Sequence, residues 1–366
     1  MKILQLIQKP QRRGAEIFAA QLAQELENRG HQVILVSIFE GKADLPFDGQ
    51  QVHLDRPISR RFYDWKGWQS FAKLIKTFKP DLIQANAADT LKFAVFSKLI
   101  FRWNIPIVYR NANQMGDFIT NSWHQKFNQF LLSRTATVIA VSKASQVDFL
   151  RKFQYPPSLT TVIPIGIDSK AINSRLAEPH DLKVERPYLI QIGGLVPEKD
   201  PMAMVEIFHA LKEPQLKLLF LGTGKLKQPL LSQVNDLGLS DCVQFIPSQN
   251  NIFPWLQHAA ALVMPSKIEG LPGVILEAMY CKVPVIAYGV GGIAEVLIND
   301  QTGWCVPSGD RISFLRAVKD VLHKDPASKE KILSQAKFLV EEKYALENIV
   351  AEFEQCYSAI ILEQDD

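Results

Sequence analysis

The strongest constraint on this chain is a repeated alternation of short apolar runs with longer stretches of helical period. Ile3–Ile7 reads as a buried strand. Glu16–Asn28 then places Phe18, Leu22 and Leu26 on one helical face, and Gly30 follows as a stop signal. Val33–Ile38 is the next strand. Asp81–Ala85, Ile105–Tyr109, Thr137–Val141 and Thr160–Ile163 continue the series, with helical stretches between most of them. The pattern pauses over the polar stretch Pro164–Glu185. It restarts with strand Tyr188–Ile192 and a helix opened by Asp200-Pro201 as N-cap and first-turn proline. Strands Leu216–Leu221, Val243–Ile246, Ala260–Met264 and Val283–Ala287 follow, and everything after Asp310 reads as helical. Strands alternating with helices imply parallel sheets covered on both faces, so the expected class is α/β in two doubly wound units.

Length agrees, since 366 residues make two domains of ordinary size, with the boundary expected near residues 165–187. Hydrophobic residues are 47% and charged residues 22%, which excludes a disordered or collagen-like chain. No apolar run reaches the ~18 residues of a membrane span. MKILQLIQKP is interrupted too soon to act as a signal peptide. The four cysteines, at 242, 281, 305 and 356, form no CxxC pair, which fits a reducing, cytoplasmic setting and argues against a zinc site. Charge is unevenly spread. Residues 1–170 carry 23 Lys/Arg against 13 Asp/Glu, and residues 171–366 carry 18 against 25, so the first half is suited to an anionic partner.

Ligands of doubly wound sheets bind beyond the carboxyl ends of the strands, which directs attention to the strand-to-helix loops. The first, Gln8-Lys9-Pro10-Gln11-Arg12-Arg13-Gly14-Ala15-Glu16, is basic and enters a helix N-terminus. It lacks the GxGxxG of a dinucleotide site. Gly193-Gly194-Leu195-Val196-Pro197-Glu198-Lys199 combines glycines, which let backbone approach a ligand, with a lysine suited to phosphate. Gly222-Thr223-Gly224-Lys225 has neither dinucleotide nor P-loop spacing. The most specific segment runs from Pro265-Ser266 through Glu269-Gly270-Leu271-Pro272-Gly273-Val274 to Glu277-Ala278-Met279. It places Glu269 on a turn and Glu277 inside an apolar helix, where a carboxylate needs hydrogen-bond donors such as sugar hydroxyls. Gly289-Val290-Gly291-Gly292 opens another helix, with N–H groups available to a phosphate.

With these motifs in this order the chain resembles the retaining glycosyltransferases of family 4. The matching segments are Gly14-Ala15-Glu16 with Arg29-Gly30-His31, Val162–Asp168, Gly193–Lys199, Pro265–Met279, Pro284–Ala287 and Gly291-Gly292. The resemblance implies a GT-B fold, two Rossmann-like domains with a cleft between them. Residues 1–170 would form the acceptor-side domain and 171–345 the domain that binds a nucleoside diphosphate sugar of uridine or guanosine. Residues 346–366 would be a helix crossing back to the first domain. Lys199 would pair with the diphosphate, and Glu277 would accept the ribose hydroxyls. Glu269, with amides around Gly270, Leu271, Pro272, Gly273 and Val274, would hold the transferred sugar. Arg13, Gly14, Gly193 and Ser248 would complete the donor site, with the base near Ile246–Ser248. The implied catalytic pair is Glu269 and Lys199. Arg110, Asn111 and Asn113 would face the sugar or the acceptor, a glycan or lipid-linked molecule of surface polysaccharide or glycolipid synthesis. Neither a metal nor a cofactor is implied, and no nucleic acid partner.

Three positions depart from the family pattern. Ala112 falls where a histidine is usual, Gly194 where an arginine is usual, and Arg13 where a glycine is usual. The resemblance puts Arg13 and residue 194 on opposite walls of the cleft, so Arg13 would replace the missing cation. No Asp-x-Asp sequence occurs, so Lys199 and helix N-termini would carry the leaving-group charge without metal. Arg60–Lys79 has six basic residues, one acid and the apolar stripe Trp68, Phe71, Leu74, Ile75 and Phe78. Leu91–Trp103 adds three basic residues and several aromatics. Two readings stand: a core-facing helix with a solvated basic side, or a patch for an anionic membrane surface, which would make the protein peripheral on the inner face of the cytoplasmic membrane. The rival functional readings are a non-catalytic sugar-nucleotide binder and a sugar-nucleotide epimerase. The epimerase leaves the spacing of the two glutamates without a role.

Overall fold

The computed structural model describes residues 1–179, 182, 184 and 187–365. The chain divides into two compact units, one formed by Met1–Gly166 with Leu346–Asp366, the other by Ile167–Ala345.

The first unit alternates β1 (Lys2–Ile7), α1 (Gly14–Asn28), β2 (Gln32–Phe39), β3 (Gln50–Arg56), α2 (Trp65–Phe78), β4 (Leu82–Ala85) and α3 (Ala88–Phe101). It continues with β5 (Ile107–Asn111), α4 (Ser122–Leu132), β6 (Thr137–Ala140), α5 (Lys143–Lys152) and β7 (Thr160–Val162). All seven strands are parallel, in the order β3-β2-β1-β4-β5-β6-β7. Central strands are buried on both faces, which is why they read as continuous apolar runs: Ile3, Leu4, Leu6, Ile83 and Val108 have no exposed surface. The 20-residue helix at the chain's end, Leu346–Asp365, packs on α1 within this unit, with Phe353 against Phe18 and Tyr357 fully buried.

Beneath that last helix lies a buried polar network. Tyr357 donates its hydroxyl to Gln84 Oε1 at 2.5 Å and accepts from Gln5 Nε2 at 3.3 Å. Asn86 Nδ2 donates to Gln5 Oε1 at 2.9 Å. Every member except Tyr357 is a residue of β1 or β4 or directly follows one, so the network ties the helix to the centre of the sheet.

The second unit begins with α6 (Ser169–Leu176), capped by the Asp168 carboxylate, which accepts from Ala171 N at 2.9 Å. This helix lies inside the stretch Pro164–Glu185, where the sequence suggested a pause. There follow β8 (Tyr188–Ile192), α7 (Pro201–Leu211), β9 (Lys217–Leu221), α8 (Lys227–Asp236), β10 (Val243–Ile246), α9 (Phe253–Gln257) and β11 (Ala261–Met264). The unit ends with α10 (Gly273–Tyr280), β12 (Val285–Tyr288), α11 (Ile293–Val296), β13 (Trp304–Val306), α12 (Arg311–His323) and α13 (Pro326–Lys343). Its six parallel strands are ordered β10-β9-β8-β11-β12-β13.

Two local features differ from expectation for identifiable reasons, and a third settles between two readings. β3 and β13 are edge strands that no apolar run announces; β3 alternates half-buried Val52 and Leu54 with polar residues. β5 starts two residues later than expected, because Pro106 has no N–H to give the ladder. The apolar stripe of α2 belongs to the core, with Trp68, Phe71 and Ile75 buried and Lys66, Lys73 and Lys76 exposed on the opposite side.

Candidate functional site

Each sheet has one topological switch point, between β8 and β11 in the second unit and between β1 and β4 in the first. At such a point successive loops diverge to opposite faces and leave a crevice. In the second unit a charged pair bridges it. Lys199 Nζ, at the end of the loop after β8, is hydrogen-bonded and ion-paired to Glu269 Oε1, in the loop after β11. Glu269 is 5% exposed, while the Lys199 side chain keeps 23% of its surface open. The ammonium has three N–H donors, so it keeps hydrogen-bond capacity beyond the carboxylate.

Neighbouring backbone fixes both loops. Lys267 N donates to Glu198 O at 2.8 Å, and Lys267 Nζ pairs with Asp200 at 2.8 Å. Buried Gln191 of β8 donates to Lys199 O at 2.9 Å. On the far side, Gly292 N donates to Gly270 O at 2.5 Å. Gly291, at φ +55°, lies so close to Glu269 O that a Cβ there would overlap it. Similarly, a Cβ at Gly222 would strike Gly193 O, and one at Gly224 would strike the Leu195 backbone. Several of these glycines thus serve the close approach of one loop to another, a use not foreseen in reading them as openings for a ligand. Gly193 and Gly194 differ: a Cβ at either meets nothing nearer than 3.7 Å. Sterically, position 194 accepts a side chain.

The loop after β11 opens α10, whose N-terminus has no side-chain cap among the described residues, which leaves the first-turn amides of Gly273 and Val274 to receive an anion or hydroxyl. Leu271 is buried beneath the turn, and Ser266 Oγ, wholly buried, has no hydrogen-bond partner among the described residues. Glu277 follows one turn into α10. Its carboxyl is pushed up to about 7 because burial strips water from the charged form, with Arg175 of α6 acting in the opposite direction. Its carboxylate makes no hydrogen bond among the described residues. The thiol of Cys281 is raised to about 12 by burial and by Glu277 beside it, so it is inert as a nucleophile. Ser248 stands apart. Exposed after β10, it lines an open cavity of about 400 Å³ with Glu178, Asn251 and Trp255, whose walls include neither Lys199 nor Glu269.

The switch point of the first unit is bridged as well, by residues the sequence did not single out for a site. Gln8 Nε2, after β1, donates to Asp89 at 2.7 Å, in the first turn of α3 after β4. Asp89 also pairs with Lys92 at 2.8 Å and Arg61 at 3.1 Å, which hold its carboxyl below the usual range despite burial. At the N-terminus of α1, Arg13 and Gly14 are exposed, and a Cβ at Gly14 would meet nothing within 4 Å. Glu16, 5% exposed, accepts from Gln11 at 2.8 Å, and burial raises its carboxyl.

Arg110 and Asn111 require a correction. They were expected in a loop after β5, but the strand runs two residues further and includes both, paired with Ile139 and Ala140 of β6. Alternation along the strand sends Tyr109 to the core of the first unit, against Met115. Arg110 points to the other face, its guanidinium 4.3 Å from the centre of the Phe18 ring, and it is 1% exposed. Nε and Nη1 of Arg110 and Nδ2 of Asn111 have no partner among the described residues. Of the three residues expected on the acceptor side, only Asn113 is exposed.

No three His, Cys, Asp or Glu side chains among the described residues come together as a metal-holding group. No helix among them is long and apolar enough to cross a membrane.

Comparisons with known proteins bear on the family and the fold. Residues 12–171 match the model of Glycosyltransferase Family 4, and residues 173–338 match that of Glycosyl transferases group 1. The chain is 25% identical over 236 residues to N-acetylgalactosamine-N,N'-diacetylbacillosaminyl-diphospho-undecaprenol 4-alpha-N-acetylgalactosaminyltransferase of Campylobacter jejuni, covering 62% of this chain and 64% of the relative. It is 29% identical over 189 residues to N-acetyl-alpha-D-glucosaminyl L-malate synthase of Bacillus anthracis, covering 51% of this chain and 49% of the relative. The matches thus span less than two thirds of these curated relatives. Among solved structures, Anabaena Alr3699/HepE in complex with UDP-glucose superposes with a TM-score of 0.81 at 20% identity, covering 98% of this chain and 100% of that one. By family models that run in succession along both units, and by fold, the chain belongs to the family 4, group 1 glycosyltransferases of GT-B architecture.

Proposed function

We propose that this protein is a retaining, metal-independent glycosyltransferase that moves a sugar from a uridine or guanosine diphosphate sugar to a glycan or lipid-linked acceptor in surface polysaccharide or glycolipid synthesis. The observation that carries the reading is the Lys199–Glu269 pair across the switch point of the second unit, beside the uncapped amides of α10. Lys199 receives the diphosphate. Glu269 orients the lysine and accepts a hydroxyl of the sugar to be transferred, with amides from Gly270 to Val274 beside it. Glu277 accepts the ribose hydroxyls. The name of the Campylobacter relative, which includes a diphospho-undecaprenol acceptor, and the UDP-glucose bound to the Anabaena protein support the choice of substrate classes.

In the reaction, the bond from the sugar's anomeric carbon to the β-phosphate oxygen breaks and the electron pair leaves with the diphosphate. Lys199 and the dipole of α10 offset that developing negative charge. The acceptor hydroxyl bonds to the anomeric carbon on the same face. Its proton passes to the departing phosphate oxygen, so the configuration is retained. Gln8, Asp89, Arg61 and Lys92, at the switch point of the first unit, position the acceptor. Work on a lipid-linked acceptor places the protein in the cytoplasm, peripheral on the inner face of the membrane.

The test is transfer from UDP- and GDP-sugars to a lipid-diphosphate acceptor in excess EDTA, with the anomeric configuration of the product read by NMR. Turnover with retention is expected. Complete loss restored by manganese, or an inverted product, overturns the reading.

A further inference from the structure

The first unit carries a helix whose faces are reversed. The inward side of α4 is polar: Asn128 is buried, and His124, Gln125 and Gln129 are half-buried. Gln125 and Gln129 fasten the helix by donating to the carbonyls of Lys152 and Gln154, both at 2.7 Å. Only at its end do Leu131 and Leu132 enter the core. The outward side carries Trp123, 82% exposed, Phe127 and Phe130, at the i, i+4, i+7 spacing of one helical stripe. Lys126 Nζ lies 5.7 Å from the centre of the Trp123 ring, and Arg134 lies 3.6 Å from that of Phe130. A helix of a globular protein turns such a stripe inward; one that turns it outward has an apolar partner.

The stripe is part of a larger surface. Ring contacts link Tyr63 to Trp68, Trp68 to Phe96, and Phe96 to Phe127, at 5.4, 5.4 and 6.1 Å. Phe62, Tyr63 and Trp65, before and at the start of α2, are 49–71% exposed. Seven of the eight large aromatic residues exposed among the described residues fall between Phe62 and Phe130. Over 58–134 the sequence has 12 Lys/Arg and four Asp/Glu. Lys92 and Arg110 of the basic residues are buried, and two of the acids, Asp64 and Asp89, are buried and neutralised by Arg56 and by Arg61 with Lys92.

We propose that this surface, with α4 as its principal element, docks the first unit on an anionic lipid bilayer. Tryptophan and tyrosine favour the headgroup region, where the ring is in an apolar medium and its polar atom stays wet. Lys66 and Lys126, exposed near the rings, and Arg134, stacked on Phe130, supply cations for lipid phosphates. A second copy of this chain is the poorer occupant, because a twofold contact would set a cationic face against itself. Phe62 links the surface to the switch-point cluster, its ring centre 4.5 Å from Lys92 Nζ and 5.2 Å from the Arg61 guanidinium. The inference rests on the lipid-linked-acceptor reading for its purpose and not for its test.

The test is co-sedimentation of the full chain with vesicles of phosphatidylcholine, alone or mixed with phosphatidylglycerol, at low and at physiological salt. Binding to the mixed vesicles, weakened by salt, is expected. Trp123→Ser with Phe127→Ser should lower it about tenfold or more. Lys66→Glu with Lys126→Glu should lower it on mixed vesicles, and Phe338→Ser, on the second unit, should not change it. All these side chains are exposed, and an unchanged thermal midpoint verifies the fold. Absent vesicle binding, or equal binding by the Trp123/Phe127 variant, overturns the proposal. So does self-association abolished by that variant without vesicle binding, which assigns the face to a second copy. Vesicle binding without sugar transfer refutes the transferase reading and leaves the surface standing. Transfer without vesicle binding does the reverse.

Discussion

The Glu277 carboxyl, raised to about 7, gives the donor site a pH dependence of known sign. In the free protein the proton is held by burial. A bound ribose offers two hydroxyl donors, which the carboxylate accepts better than the acid, so binding favours ionisation. At pH 6 about one molecule in eleven carries the ionised form, and at pH 8 about ten in eleven. The dissociation constant of a nucleoside diphosphate sugar should therefore fall about tenfold from pH 6 to pH 8, or about 1.4 kcal/mol. Such a sugar is the right ligand, because its diphosphate has no ionisation in this range, unlike a free nucleoside diphosphate. Isothermal titration calorimetry across that range measures the slope, and Glu277→Gln should flatten it. A tenfold slope that persists in Glu277→Gln, or weaker binding at higher pH, refutes the reasoning. The same shift acts on stability. Glu277 holds its proton more tightly folded than unfolded, so its favourable contribution is complete below about pH 4.5 and is lost as pH rises through 7.

Other substitutions test the supporting structure. Gly291→Ala puts a Cβ onto Glu269 O at a left-handed φ, so it should lower the thermal midpoint and weaken sugar-nucleotide binding together; an unchanged midpoint contradicts the packing described. Gly194→Arg has ordinary contacts only, so it should leave the midpoint unchanged and tighten diphosphate binding; destabilisation contradicts it. Tyr357→Phe removes the hydroxyl shared by Gln84 and Gln5, which should cost about 1–3 kcal/mol in denaturant unfolding. A change within about 0.5 kcal/mol would mean the network contributes little.

Most of the strands are legible because, buried on both faces, they read as apolar runs, such as Ile3–Ile7 and Tyr188–Ile192. Strand β3 escapes that criterion because it alternates half-buried Val52 and Leu54 with polar residues, and β13 because it is only three residues long. Helical period shows that Trp123, Phe127 and Phe130 share a face, but not that the face is outward; the glutamines and Asn128 on the other side are the available sign. Lys199 and Glu269 are each legible from their loops. Their contact, 70 positions apart, exists only because β8 and β11 are neighbours. Asp89 had no motif around it, since its partners at 8, 61 and 92 come together through the topology of the sheet. Arg110 was misplaced by two residues of strand, enough to move it from a loop to the face beneath α1.

The central claim is that the loops after β8 and β11 hold a sugar nucleotide through Lys199. Titration of UDP- and GDP-sugars into the wild-type chain and Lys199→Ala tests it most directly. A charge-assisted hydrogen bond is worth about 1.5–3 kcal/mol, so the variant should bind its preferred donor at least about tenfold more weakly. Equal affinity in Lys199→Ala, or no binding of either nucleotide class to the wild-type chain, would contradict the account.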